Sequence, residues 1–233
     1  MAFKKRYIAL AALTAIGVLI SQFPAKTAKS LIAPELPVTL GGTVWDGYVP
    51  PLNALPAISF QTSFMGIFTN APAAQFQGNG NGLSIKGSAE TDKIDTVELT
   101  GDARFLGQID GRLGNLSGRF DLAAANIRFD GNCDDVSGQV STDILASNAA
   151  LWQWRGPPLS GPITCENGVL TAALLGNVPG QSVEAVLKIL VDGSYQIRAV
   201  INTNTPQAGL VLPLYGFEAQ GERFTMNEAG RWM

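Results

Sequence analysis

The 233-residue chain has no histidine and only two cysteines, which excludes several kinds of chemistry at once. Without an imidazole there is no Ser-His-Asp or Cys-His nucleophile system and no histidine ligand for a metal. Two thiols alone cannot complete a four-ligand zinc or iron–sulfur site. The chain also lacks the G-x-S-x-G, H-E-x-x-H and phosphate-loop motifs. We therefore expect no catalytic residues, no cofactor site and no metal site.

Charged residues are scarce, at 15% of the chain, and the cations are unevenly placed. The charged side chains that precede the first acid, Glu35, are all basic: Lys4, Lys5, Arg6, Lys26 and Lys29. Since the whole chain carries a formal net charge of -3, the part that follows these cations is clearly acidic. An acidic body is a poor partner for a phosphate backbone, whose binding needs clustered cations. We therefore exclude nucleic acid as a partner.

Residues 7–23 form a long uncharged run that is mostly apolar. As a helix, residues 7–25 would span roughly 28 Å at about 1.5 Å per residue, against a hydrocarbon core of roughly 30 Å. We predict that residues 7–23 form a single membrane anchor. The basic residues on its two sides give only a weak bias toward a cytoplasmic N-terminus.

A cleaved signal peptide is the alternative interpretation of the same run, with the cut near residues 25–28. Both alternatives export the rest of the chain from the cytosol. The predicted division is therefore a cytoplasmic stub, an anchor or signal peptide and the start of a connector over residues 1–29. A β-rich domain in the periplasm follows over residues 30–233.

The two cysteines, Cys133 and Cys165, are 32 positions apart and neither belongs to a C-x-x-C pair. An even number of thiols in an oxidising compartment suggests a disulfide. Closing a loop of this length would stabilise the domain by roughly 3 to 4 kcal/mol on the chain-entropy account. Two buried free thiols are the alternative.

From Val38 onward the apolar residues recur with a period of two, and turn residues separate the runs. This pattern predicts an all-β, mostly antiparallel protein, either a many-stranded curved sheet or a sandwich-like domain. We expect no amphipathic helix after the anchor. Alternation is clearest over residues 183–189 and 195–201, and six earlier strands with a looser pattern are predicted over residues 83–86, 96–100, 104–110, 116–124, 136–144 and 169–175.

One hairpin near the C-terminus allows its register to be predicted. A two-residue turn at Asp192-Gly193 would place apolar residues of one strand opposite polar residues of the next. A three-residue loop over residues 191–193, with Gly193 in the left-handed conformation, restores the match of the two faces. We therefore predict that Leu187 lies opposite Ile197.

Two tryptophans, Trp152 and Trp154, would lie on one face of a strand over residues 151–155. Beside Arg155 they would form an aromatic platform. Packing in the core explains such a pair, and a contact surface for a partner is the alternative, since Trp and Arg are enriched at interface hot spots.

Three stretches of the sequence resemble one known family. The segment Gly42-Thr43-Val44-Trp45-Asp46-Gly47 is similar to the G-T-[LV]-W-x-G opening motif of the type II secretion system protein N family. The segment 212–217, followed by Gly221, Phe224, Met226 and Gly230, resembles the closing pattern of that family. The surroundings of Cys165 resemble the neighbourhood of the family's second cysteine.

This resemblance implies a single-pass protein of the inner membrane whose periplasmic domain is β-rich. It implies an accessory, non-enzymatic component of the apparatus that exports folded proteins across the outer membrane. The expected partners are other inner-membrane or periplasmic subunits of that apparatus. Within the opening motif, we expect Gly42, Thr43, Trp45 and Gly47 to be structural, with Trp45 holding the first strand in the sheet.

A lipid-binding or lipid-transfer groove, as in periplasmic proteins of the AsmA type, is the alternative function, because the strand pattern also resembles that class in general character. The two functions differ in where the apolar face of the sheet goes. If Leu187, Ile189, Ile197 and Ile201 close against a second sheet, a groove is excluded. If these residues line an open trough, the scaffold function loses support.

Overall fold

The computed structural model describes most of the chain beyond the first 21 residues. The predicted anchor therefore lies almost wholly outside the described residues, as do Cys133 and the hairpin loop 191–193. In the part that is described, no helix has both the length and the apolar character to cross a membrane. The described ranges are 22–32, 39–51, 55–63, 74–90, 93–108, 111–128, 135–190 and 194–231.

The described residues form one antiparallel sheet of fourteen strands, in which nearly every strand pairs with its neighbours in the chain. The only departure is at the C-terminal end, where the order is β12-β14-β13. The strands are β1 Gly41–Gly42, β2 Asp46–Val49, β3 Ile58–Thr62, β4 Ala74–Gly80, β5 Leu83–Ala89, β6 Lys93–Asp102, β7 Arg119–Arg128, β8 Ser137–Thr142, β9 Leu159–Glu166, β10 Val169–Val178, β11 Gln181–Leu190, β12 Ser194–Thr203, β13 Glu218–Gln220 and β14 Arg223–Arg231. The predicted all-β curved sheet is confirmed, in the single-sheet form.

Short helices precede this meander at one place and interrupt it at three others. They are α1 Ala25–Ile32, α2 Ile144–Ser147, α3 Ala149–Trp152 and α4 Pro206–Val211, with the 3-10 segments η1 Ala103–Gln108, η2 Gly111–Leu113 and η3 Leu212–Tyr215. Helix α1 lies in the connector that the sequence predicts after the anchor. The expectation that no amphipathic helix follows the anchor is wrong, because the short α4 and η3 together bury Ala208 and Leu212 against the sheet.

Residues 104–108 of one predicted strand form a 3-10 segment, and residues 151–155, considered as a strand for the two tryptophans, do not form one. At the first, the Asp102 carboxylate accepts a hydrogen bond from the Arg104 backbone N–H at 2.9 Å, which bends the chain into η1. At the second, α3 ends at Trp152 and Gln153 takes the left-handed conformation with a φ of 52°. Both interpretations failed for the same reason. Apolar residues two positions apart indicate a strand only where no local turn decides the conformation of the chain.

The register of the β11–β12 hairpin follows the prediction. Leu187 lies directly opposite Ile197, with Ala185 opposite Ala199 and Ile189 opposite Tyr195 along the same pair of strands. The alternating apolar residues of the two strands therefore share one face of the sheet, because directly paired residues point the same way.

The pairing gives the sheet one apolar and one polar face. A row of directly paired residues across β3 to β12, here called the central row, is apolar: Phe60, Phe76, Gly87, Val97, Ala124, Gly138, Ile163, Ala172, Leu187 and Ile197. The neighbouring row on the other face is mainly polar across β3 to β8: Ser59, Gln77, Lys86, Glu98, Ala123 and Gln139. On this polar face Lys86 and Glu98 form an exposed ion pair at 2.7 Å.

Glycines paired with aromatic residues recur across the sheet. The pairs are Gly41 with Tyr48, Gly47 with Phe60, Gly87 with Phe76, Gly101 with Phe120, and Gly230 with Tyr195. In each pair a Cβ atom on the glycine would overlap the aromatic ring, so the ring lies across the partner backbone. The absence of a side chain on one strand therefore lets a large side chain of the next strand fold over the sheet.

Candidate functional site

Helical segments cover one end of the apolar face. We call them the helical cap; it comprises residues 103–108, 111–118, 144–154 and 206–217. Below it lies the capped row, which consists of the directly paired Val183, Ile201 and Phe224. Ile201 is 1% exposed, and the capped row joins cap residues in one buried cluster. The cap therefore does for this row what a second sheet does in a sandwich.

The paired tryptophans lie inside this cluster rather than on a strand. The indole rings of Trp152 and Trp154 stack with centroids 6.1 Å apart, and Trp154 is 2% exposed. Trp152 Nε1 donates to the Tyr215 hydroxyl at 3.2 Å, and Trp154 Nε1 donates to Gln181 Oε1 at 2.9 Å. Arg155 is exposed. Burial of both rings favours packing in the core. A contact surface formed by Trp152, Trp154 and Arg155 stays a prediction.

Asn148 fastens the cap to the chain before β7. Its side chain is buried, and its Oδ1 accepts from the Ser117 N–H at 2.9 Å. Its Nδ2 donates to the carbonyl oxygens of Ser117 and Ile144, each at 2.7 Å. One amide thus satisfies three backbone groups that have no strand partner, which fixes α2 and α3 against residues 116–118.

A cavity of about 230 Å³ lies between the cap and the sheet. Its lining is almost wholly apolar: Leu113, Leu116, Ile144, Leu145, Trp152, Ile197, Val211, Leu212, Tyr215, Phe217, Met226 and Glu228. The sheet side of the cavity includes Ile197, which also belongs to the central row. The cavity therefore stands where the covered part of the apolar face meets the uncovered part. The sequence pattern missed this site, because its walls come from segments far apart in the chain.

The central row has no second layer over it in the described part of the chain. Val97, Ala124 and Ile163 are buried, and they form a second cluster with half-buried neighbours on the same face of the curved sheet. At the β11–β12 side, Leu187 and Ile197 are only half-buried. The four residues that distinguish a scaffold from a lipid groove therefore give a mixed result. Ile201 lies under helices, whereas Leu187, Ile189 and Ile197 remain partly open to solvent.

The opening motif forms a tight turn at the first edge of the sheet. The Thr43 backbone N–H donates to the Asp46 carbonyl at 3.0 Å, and the Asp46 N–H donates to Thr43 Oγ1 at 3.1 Å. Gly42 has a φ of 77°, and Gly47 lies under the Phe60 ring. Trp45 is half-buried at this turn. None of these residues lines the cavity, so the structural role predicted for the motif stays a prediction.

Cys165 lies in β9 and belongs to the second buried cluster, at 8% exposure. Its predicted partner Cys133 is outside the described residues, so the disulfide stays a prediction. Metal binding has no support from the described side chains, among which no group of three or more Asp, Glu or Cys residues is placed to hold an ion.

The ion pairs of Lys86 and Lys93 lie on strands β5 and β6, away from the cavity. Lys93 Nζ is 2.9 Å from Asp95 Oδ1 and 3.6 Å from Glu90 Oε2. The hydrogen bond to Asp95 is the main cause that raises the pKa of Lys93 above its ordinary value of 10.5. This cluster therefore contributes to the surface of one strand pair and leaves the apolar cavity without a cation.

The fold and the cavity together define a β-meander protein with an apolar cavity under a helical cap. Comparison with known families then identifies the family to which the chain belongs. The family described as "Type II secretion system (T2SS), protein N" matches residues 38–227, so the chain belongs to the type II secretion system protein N family. This confirms the resemblance carried by the opening, closing and cysteine segments. No curated protein and no solved structure matches the chain.

Proposed function

We propose that this protein is a non-enzymatic accessory component of the type II secretion apparatus that assists the export of folded proteins across the outer membrane. Membership of the family over residues 38–227 is the observation that carries the proposal. Residues 7–23 anchor the chain in the inner membrane, and residues 30–233 form one domain in the periplasm. Other inner-membrane or periplasmic subunits of the apparatus are the partners.

The C-terminal edge of the sheet supports a contact of this kind. Strand β13 pairs with β14 only at residues 223–225, so residues 226–230 have no described neighbour on that side. At the opposite edge, the short β1 covers part of β2, and Pro24 bridges to Thr43 in front of α1. An exposed strand edge offers main-chain hydrogen bonds to an extended segment of a partner. The β14 edge is therefore the proposed contact.

A disulfide between Cys133 and Cys165 belongs to the same proposal, because the periplasm is an oxidising compartment. The described part of the chain holds no free cysteine, which supports the pairing. Reaction of the exported protein with a thiol reagent under denaturing conditions tests it. We expect labelling only after reduction, and labelling of both thiols without reduction would contradict the bridge.

Secretion in a strain that lacks this chain tests the main proposal. Folded cargo of the secretion apparatus should accumulate in the periplasm of the deletion strain, and the full-length chain should restore its release. The matched control is a chain with Gln139→Ala, an exposed change on the polar face of β8, a strand with a neighbour on each side, which should restore release equally. Unchanged release in the deletion strain would contradict an assisting role.

Photo-crosslinking then tests the β14 edge. A crosslinking amino acid at Ala229, which is exposed on that edge, should give an adduct with another subunit of the apparatus, identified by mass spectrometry. The control position is Glu98, which is exposed on a strand that has a neighbour on each side. Equal adducts at both positions would contradict a contact specific to the edge.

A lipid-binding or lipid-transfer groove is the second candidate function. The observation that favours it is the partly open apolar face at Leu187, Ile189 and Ile197, with no second sheet over it among the described residues. Apolar surface that stays exposed on a soluble domain commonly marks an interaction site. This function and the accessory role are compatible, because the first concerns the face of the sheet and the second its edge.

A further inference from the structure

The apolar cavity under the helical cap continues into the central row of the sheet. Ile197 forms part of its floor and pairs directly with the half-buried Leu187. Met226, on the next strand, lies on the same face, since its direct partner Ala199 shares that face with Ile197. The cavity is therefore a pocket with an apolar path leading from it along the sheet.

The walls of the cavity exclude a polar ligand. The polar atoms of Trp152 and Tyr215 bond to each other at 3.2 Å, so neither needs a ligand as a partner. Among the described residues, no buried side-chain nitrogen or oxygen lacks a hydrogen-bond partner. A sugar or nucleotide entering here would lose its hydrogen bonds to water and find only one carboxylate, that of Glu228, to replace them. An apolar cavity of about 150 Å³ is known to bind a hydrocarbon the size of benzene, and this one is larger.

One charged residue marks the mouth of the cavity. Glu228 lies opposite Ile197 on the apolar face, is exposed, and is the only charged residue among those that line the cavity. A carboxylate at the rim of an apolar pocket attracts a positively charged group and repels a negative one. An inward-pointing charge on an edge strand also discourages aggregation, so the role of Glu228 has to be separated by experiment.

We propose that the cavity binds the hydrocarbon chain of an amphiphile whose head group is positively charged, with the chain against Met226 and Trp152 and the head at Glu228. The proposal rests on the second candidate function and adds a ligand class and an attachment point to it. The apolar lining selects the chain, and the single carboxylate selects the sign of the head group.

Quenching of Trp152 fluorescence by a bromine at the end of the chain tests the site directly. The probes are terminally brominated octyltrimethylammonium and octanoate, which share a chain and differ in head charge, added as monomers to the full-length protein in a non-ionic amphipol. We expect saturable quenching, with the cationic probe binding at least tenfold more tightly. Trp152→Phe should remove most of it. Absence of saturable quenching by either probe would overturn the proposal.

Two substitutions separate the chain from the head group. Met226→Phe fills the cavity and should weaken binding of both probes at least tenfold, whereas Asn227→Phe, on the opposite face of the same strand, should leave binding unchanged. Glu228→Gln should bring the two probes to similar affinity without abolishing binding. A preference for the cationic probe that survives in Glu228→Gln would overturn the head-group assignment and leave Glu228 a role in edge protection.

Failure of this inference and failure of the accessory role remain distinguishable. Circular dichroism of each variant shows whether the sheet is intact, and direct quenching in the unmodified protein needs no variant. If the probes do not bind while cargo release still depends on the chain, the cavity assignment is wrong and the accessory role stands. If the probes bind while cargo release is independent of the chain, the cavity assignment stands and the accessory role is wrong.

Discussion

The capped row and the central row lie on the same face of one sheet, yet they are buried by different means. Ile201 in the capped row is 1% exposed because helices lie over it. In the central row, Val97 and Ile163 are buried by neighbours on the same curved face, and Leu187 stays half-buried. Equal strand patterns therefore lead to unequal burial, and the proposed ligand site lies where the cover ends.

The largest expected effect tests the cover itself. Trp154→Ala should destabilise the protein by about 3 to 5 kcal/mol, because it empties a buried site under the cap and leaves Gln181 without its indole partner. Leu187→Ala, a change in the uncapped central row, should cost only about 1 to 2 kcal/mol, since the side chain is half-buried. Denaturant midpoints measure both, and equal costs would contradict the unequal burial of the two side chains.

The second effect concerns the second buried cluster, which contains Val97, Ile163 and Cys165 and has no helical cap over it. Cys133→Ser should lower the stability by about 3 to 4 kcal/mol under oxidising conditions, because the unfolded chain loses a cross-link. The same change should have little effect in the presence of a reductant. Denaturant unfolding with and without reductant measures the difference. A variant as stable as the parent in oxidising buffer would show that the second buried cluster needs no disulfide.

A smaller effect tests the close approach of strands β6 and β7, where Gly101 lies opposite Phe120. Gly101→Ala should destabilise by about 1 to 3 kcal/mol, because its Cβ would overlap the Phe120 ring. Phe120→Leu in the same chain should recover part of that loss. The control is Gly111→Ala, where a Cβ meets nothing within 4 Å. Thermal unfolding compares them, and equal shifts for Gly101 and Gly111 would contradict the packing described.

The smallest effect is expected at the surface of the strands, away from both rows. The folded-state pKa of Lys93 is raised, so its contribution to stability is fully present below its ordinary pKa of 10.5 and is lost as the pH rises through the raised value. Lys93→Met should therefore reduce stability slightly at neutral pH and not at all at strongly alkaline pH. Unfolding curves across that range measure it; a loss that grows with pH would have the wrong sign.

Much of the strand pattern could be predicted because it is local. Alternation places Leu187 and Ile197 on one face, and matching the faces of the two strands is enough to choose their register. The same reasoning failed at residues 104–108, where the Asp102 side chain starts a turn, and at residues 151–155, where α3 ends. In both places a hydrogen bond or a left-handed residue outweighs apolar spacing, and spacing alone does not show it.

The candidate site was harder to predict than the strands. Tyr215 and Phe217 belong to the closing pattern of the family, and Trp152 was noted as one of a pair, but nothing in their spacing joins them to Leu113. They meet because α3 and η3 fold over the same end of the sheet, with Asn148 fixing the first of these segments to Ser117. A cavity between segments so far apart in sequence has no local signature.

The sequence by itself determined the family, the antiparallel strands, the sorting of apolar residues to one face and the pairing of Leu187 with Ile197. These features depend on neighbours in the chain or on a turn between two adjacent strands. Only the tertiary structure decided which part of the apolar face is covered, that both tryptophans are buried, and that a cavity opens beside Glu228. The reason is physical: alternation sets the direction of a side chain, whereas burial depends on which distant segment packs against it.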